Sequence, residues 1–171
     1  MLTTCKTASL LLAPFTAADA PALYRFMSDE SAMQHTYAAP SLEHCSARLG
    51  VYESMRSTLG FAPWVASRTE SSEIIGWGGL SVDPDEPEWG LEISYAFSPK
   101  AWGTGYATEL VRFSLVHAFG PVSAREVNAF AKPENARSVR VLEKCGFGHV
   151  RYEPRLQRNH YLIRVPSAVL A

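Results

Sequence analysis

The chain has 171 residues, 47% hydrophobic and 19% charged, which suits one globular domain with a real core and excludes a disordered or fibrous chain. Sixteen Lys+Arg against seventeen Asp+Glu leave a net charge of −1 with no basic run, so nucleic acid is not an expected partner. No apolar stretch approaches the ~18–20 residues that cross a bilayer, so no membrane partner is expected either.

Near the start, Lys6 precedes only a short apolar patch, Leu10 to Ala13, below the ~7–15 residues of a signal-peptide core. Ser9–Ala13 is therefore read as a first strand. Thr16-Ala-Ala-Asp19 is a capping box opening a helix that carries Leu23, Tyr24, Phe26 and Met27. Pro40-Ser41 opens a second helix, Leu42 to about Thr58, ended near Gly60. Ala62–Arg68, Glu73–Val82 and Trp89–Phe97 read as strands joined by the polar turns Thr69–Ser72 and Asp83–Pro87. Connections this short make an antiparallel meander.

Ser98-Pro99 stops the third of these strands, and Lys100-Ala-Trp-Gly-Thr-Gly105 leads into a long, largely apolar helix ending near Gly120-Pro121. A strand at Glu126–Ala131 and a helix at Glu134–Cys145 follow, the helix closed by Gly146. His149–Glu153 and His160–Val165 form a final hairpin across Pro154–Asn159. No repeat or linker interrupts the chain, so residues 1–171 are read as a single domain. Cys5, Cys45 and Cys145 are odd in number and widely spaced, which fits a reduced, cytoplasmic protein without disulfides. His35, His44, His117, His149 and His160 show no ligand spacing, so no metal is expected.

The informative stretch is Glu92-Ile-Ser-Tyr-Ala-Phe-Ser-Pro-Lys-Ala-Trp-Gly-Thr-Gly-Tyr-Ala-Thr-Glu109. A strand runs into a glycine-bearing loop and the loop into a helix, whose first amides are unpaired and sit at the positive end of the helix dipole. Gly103 and Gly105 lack a Cβ, so phosphate oxygens could approach the amides from Gly103 to Ala107. A Rossmann loop also carries Gly-x-Gly, yet the antiparallel context weakens that reading, and no Gly-Lys-Ser/Thr supports a Walker loop.

Lys100-Ala-Trp-Gly-Thr-Gly105 resembles the acetyl-CoA signature of the GNAT acetyltransferase superfamily. The wider text from Glu92 to Glu109 is similar to the RimJ/RimL branch, the ribosomal-protein N-terminal acetyltransferases. Asn135-Ala-Arg-Ser138 through Leu142-Glu-Lys-Cys-Gly-Phe147 resembles that family's second block, in the family's order and spacing. The resemblance implies an α/β (α+β) fold. Its parts are a mixed sheet of about seven strands with an antiparallel N-terminal meander, two splayed parallel strands at its centre, and about four helices.

The same resemblance implies acetyl-CoA as co-substrate and an amine as acceptor. A protein or peptide N-terminus leads. Small amines, or a module that binds acyl-CoA without chemistry, are the alternatives, and a homodimer is possible. Tyr95, Ala96 and Phe97 would pair with the pantetheine, the Phe97 N–H polarising the thioester. Lys100, Trp102, Gly103, Thr104, Gly105, Tyr106 and Ala107 would hold the diphosphate, with Lys100 standing where the family has Gln or Arg. Asn135 and Ser138 share one face of a helix. Asn135 would contact the pantetheine, and Ser138 would lie near the sulfur as a proton donor. Glu92 reads either as a general base acting through water or as a buried carboxylate ordering its neighbours. Tyr161 could reach the sulfur or serve packing, and Trp102 could brace the loop. The segment Met33–Pro40 and the last hairpin would line the acceptor side, where Asp83, Asp85, Glu86 and Glu88 form either an acidic patch or a solvated turn.

Overall fold

The computed structural model describes residues 4–165, so both ends of the expected 1–171 domain lie outside the described residues. Within them, eight strands form one sheet in the order β1-β2-β3-β4-β5-β6-β8-β7. In chain order these are β1 Cys5–Lys6, β2 Leu10–Ala13, β3 Trp64–Arg68, β4 Ile74–Ser81, β5 Glu92–Phe97, β6 Glu126–Ala131, β7 Gly148–Glu153 and β8 Arg158–Arg164. The helices are α1 Ala20–Met27, α2 Leu42–Leu59, α3 Tyr106–Phe119 and α4 Ala136–Lys144. About seven strands were expected. The eighth, β1, is two residues long and exists only through its pairing with β2, a contact that no two-residue pattern announces.

Local chemistry sets the element ends. Thr16 and Asp19 form the expected capping box, here over a single 3₁₀ turn that runs into α1. Ser41 caps α2 by accepting the His44 N–H at 3.1 Å, and Gly60 closes that helix in the left-handed region at φ 79°. Several boundaries differ from the sequence reading: β3 begins at Trp64 rather than Ala62 and β8 at Arg158 rather than His160, and two further shifts have a clear local cause. Trp89 belongs to a 3₁₀ turn, Pro87–Trp89, because Gly90 at φ 71° turns the chain before β5 begins at Glu92. Helix α4 begins at Ala136 rather than Glu134, because the Asn135 side chain accepts the Ser138 N–H and so occupies the cap position.

Two layers of helix sandwich the sheet. On one face α1 and α2 bury Leu23, Phe26, Cys45 and Leu49 against Val65, Trp77 and Ala96. On the other, Val111 and Leu115 of α3 pack with Leu80, Ile93 and Val127, Leu142 of α4 beside them, while Leu110 packs with Leu12, Ile75 and Phe97. Gly78 lets α3 come this close: a Cβ there would lie 2.7 Å from Leu110 Cδ2 and 2.6 Å from Tyr95 Cβ. Such contacts allow no added methyl group.

The meander β1 to β5 is antiparallel throughout. Between β5 and β6 the sheet turns parallel, and a single residue pair, Glu92 with Asn128, is in register. The Asn128 amide donates to the Leu91 carbonyl at 2.9 Å. Its side chain clamps the same end, donating to the carbonyls of Trp89 (2.9 Å) and Leu91 (3.2 Å) and meeting His160 Nε2 at 2.8 Å. Beyond this clamp the two strands part. The sheet therefore contains a wedge-shaped gap at its centre.

Candidate active site

The gap opens into a cleft of about 1140 Å³ lined by β5, the 101–108 loop and helix start, β6, α4, residues 32–36 and the tip of the β7–β8 hairpin. The ladder fixes which main-chain groups face it. Residues of an antiparallel strand present their N–H and C=O alternately to the two edges. The Ser98 N–H reaches the Ile75 carbonyl at 2.8 Å, so Ala96 also faces β4, while Tyr95 and Phe97 face the gap. Of the three residues expected to pair with an extended ligand, Ala96 thus has its polar groups turned to β4.

The glycine loop has the form of an anion cradle. Gly103 and Gly105 sit in the left-handed region at φ 76° and 93°, and a Cβ on either would project into open space. Gly105 is the N-cap of α3 and brings no side-chain cap. No bond from the main-chain amides between Gly103 and Ala107 to a loop carbonyl or a side chain occurs among the described residues. The loop is braced from behind. Trp102 Nε1 donates to the Phe97 carbonyl at 2.8 Å, and Thr104 Oγ1 to that of Ala101 at 2.7 Å. The Arg137 guanidinium of α4 lies over the Trp102 ring at 4.5 Å. Tyr106 turns its side chain inward, its hydroxyl accepting from Arg68 at 2.8 Å, so only its main chain serves the cradle. Lys100 is exposed and does not line the cleft.

Glu92 and Ser94 share one face of β5 and meet Ser81 of β4. Ser81 Oγ lies 3.0 Å from Ser94 Oγ and 3.5 Å from Glu92 Oε1. Burial, reinforced by the negative charge of Asp83, pushes the Glu92 carboxyl up to about 7. It is then poised to exchange a proton near neutral pH.

Tyr95 projects from the opposite face of β5 to α4, where its hydroxyl lies 2.8 Å from Ser138 Oγ. Burial holds this phenol up to about 12. Asn135, expected to touch a ligand, spends Oδ1 on the Ser138 N–H at 3.2 Å. Tyr161 is buried in the core with its ring edge on His149 and does not line the cleft. Cys145 donates to the Thr108 carbonyl, and burial raises its thiol away from reactivity.

At the outer mouth, each of the four acidic residues singled out in sequence is tied to an arginine. Arg48 of α2 bridges Asp83 and Asp85, and Arg155 of the hairpin tip bridges Glu86 and Glu88. Two guanidinium groups thus offset half of the four carboxylate charges, so the turn, read in sequence as either an acidic patch or a solvated turn, is ion-paired yet stays net negative. Gln34, His35 and Thr36 line this side as expected, with Lys132 donating to the Gln34 carbonyl at 3.4 Å.

Residues 9–148 match the family model of the acetyltransferase (GNAT) domain. The chain belongs to the GNAT acetyltransferase family. Among curated relatives, YkkB of Bacillus subtilis is 33% identical over 87 residues, 51% of each chain. The FsC-acetyl coenzyme A-N(2)-transacetylase of Aspergillus fumigatus is 30% identical over 135 residues, 73% of this chain and 49% of its own. The chain thus spans about half the length of these curated relatives.

Among solved structures, an acetyltransferase of Agrobacterium tumefaciens superposes with TM-score 0.83 at 22% identity over 96% of both chains. RimL, the ribosomal L7/L12 α-N-protein acetyltransferase, solved with coenzyme A, gives 0.75 at 16% over 93% and 96%. The aminoglycoside acetyltransferase AAC(6')-Ib, also solved with coenzyme A, gives 0.70 at 21% over 91% and 95%. These likenesses establish the fold, the RimL type expected from sequence among them.

Several contributors to this GNAT cleft were not singled out from sequence: Arg137, Asn128, Ser81, Arg48, Arg155 and the Tyr95 phenol. Only Arg137 carried a local signal, inside the Asn-Ala-Arg-Ser block. The others act through partners distant in sequence.

Proposed function

We propose that this chain is an acetyl-CoA-dependent N-acetyltransferase that moves the acetyl group directly to a primary amine, foremost a protein or peptide N-terminus. The observation that carries this reading is the gap between β5 and β6, closed at Glu92 and Asn128 and opening onto the unpaired amides of Gly103 to Ala107. A diphosphate fits that cradle without a cationic side chain, and an extended arm fits beside the gap-facing groups of Tyr95 and Phe97. Coenzyme A, when bound, supplies the activated thioester.

The chain's own groups do the rest. The Phe97 N–H donates to the thioester carbonyl oxygen as negative charge grows there. Glu92, with a carboxyl near 7, takes the proton the amine loses as its nitrogen bonds to the acetyl carbon, through an intervening water. The carbon–sulfur bond breaks with its electron pair on sulfur, and the Ser138 hydroxyl donates to that sulfur.

The two arginines offset half of the mouth's four carboxylate charges, which weakens its pull on a polycation. A singly charged α-amine, neutral in useful fraction because its pKa is about 8, needs none of the acidic residues. The test is a screen of peptides and small amines with acetyl-CoA, read by thiol release and product mass. Peptide N-terminal acetylation is the expected result. Acetylation of small amines alone would move the acceptor class, and coenzyme A binding without turnover on every acceptor would refute the enzyme reading.

A further inference from the structure

The Tyr95 phenol lies in the cleft wall and has no part in the chemistry above. We propose that it positions the Ser138 hydroxyl, donating to the serine oxygen so that the serine proton points into the gap toward the departing sulfur. This rests on the coenzyme A reading and assigns a positioning residue within it.

The geometry supplies the direction. Tyr95 Oη has two polar neighbours, Ser138 Oγ at 2.8 Å and the Ser138 carbonyl at 3.5 Å, and both of them can accept. A phenol is more acidic than an aliphatic hydroxyl, so the favourable arrangement has tyrosine donating and serine accepting. Burial keeps the phenol protonated, and hence a donor, across the physiological range. The Ser138 backbone is already fixed, its N–H on Asn135 Oδ1. With one lone pair of Oγ occupied by tyrosine and its backbone held by the cap, the serine hydroxyl has its proton left for the cleft it lines.

A hydroxyl that accepts from one side donates more strongly on the other. The pair therefore stabilises a thiolate by a charge-assisted hydrogen bond. No proton leaves Tyr95, so no buried tyrosinate forms, and the sulfur takes its proton from solvent on release.

Binding tests this independently of turnover. The full chain, Tyr95→Phe, Ser138→Ala and the double variant are titrated calorimetrically with coenzyme A and with desulfo-coenzyme A at pH 7 and pH 9.5. A thiol ionises near ~8.5. A donor aimed at the sulfur makes the affinity ratio of coenzyme A to its desulfo analogue rise between those pH values, by about tenfold for a hydrogen bond to a charged group. The expected result is that Ser138→Ala abolishes the rise, Tyr95→Phe reduces it severalfold, and the double variant matches Ser138→Ala. Ser138→Thr, which keeps the hydroxyl, should retain it.

Affinity for the desulfo analogue should stay constant throughout, which also shows that each variant is folded. An unchanged ratio in Tyr95→Phe, or equal weakening of both ligands, would reduce Tyr95 to packing and overturn the proposal. A flat ratio in Ser138→Thr would overturn it as well. If the unsubstituted chain bound neither ligand, the coenzyme A reading itself would fall and the pair with it.

Discussion

Replacing Glu92 with glutamine isolates the cost of burying a carboxylate beside Asp83. The folded-state carboxyl lies near 7 against an ordinary value of 4.5, mainly through burial. A raised carboxyl binds its proton more tightly folded than unfolded. Its contribution to stability is thus fully present below pH 4.5 and is lost as the pH climbs toward 7. Integrated between pH 5 and pH 8.5, a displacement of this size removes about 2.5 kcal/mol from the wild type. Glutamine, neutral throughout, does not lose it.

The assay is urea unfolding of both proteins at the two pH values, with linear extrapolation to water. The stability of Glu92→Gln minus that of the wild type should be more favourable at pH 8.5 than at pH 5 by roughly that amount. Differences in hydrogen bonding to Ser81 appear at both pH values and cancel. A difference that stays flat with pH would show that the carboxyl is solvated, and its fitness as a base would go with it. In turnover, the rise of kcat/KM with a midpoint near pH 7 should vanish in the same variant.

Two further outcomes follow from the loop. Gly105→Ala places a methyl group where phosphate oxygens would approach the amides and strains a left-handed residue. The strain should cost about 1–2 kcal/mol of stability, and coenzyme A affinity by calorimetry should fall at least about tenfold, beyond what the strain alone explains. Trp102→Phe keeps a ring beneath Arg137 but deletes the 2.8 Å bond to the Phe97 carbonyl. A loss of about 1 kcal/mol is expected in urea unfolding, and an unchanged midpoint would show that the brace contributes nothing.

The parts legible in sequence were those written locally. Strand β6 begins and ends at the residues its pattern marks, Glu126 and Ala131, and Gly146 stands beyond α4 at φ 90° as a helix-closing glycine should. The glycine loop and the helix start behind it were legible because a strand, two glycines and a helix are consecutive. What escaped depends on distant partners. Arg48 is 35 residues from Asp83, Arg155 is 67 from Glu88, and Tyr95 is 43 from Ser138. Acidic residues in one turn show no ion-pair partners in sequence until the fold supplies arginines from a helix on one side and a hairpin tip on the other. Lys100 drew attention by standing in a motif, yet the 3₁₀ turn Pro99–Ala101 leaves it in solvent while main-chain groups form the cradle.

The clamp at Asn128 has an architectural consequence. A five-stranded half and a three-stranded half meet at Asn128, whose side chain reaches both: the Trp89 and Leu91 carbonyls on one side and His160 on the other. The gap thus starts where this side chain and the Glu92–Asn128 pair hold the two halves together. The Trp89, Phe130 and His160 rings pack around that closed end, so a substitution among them acts on the gap at its origin, away from the residues that line its mouth.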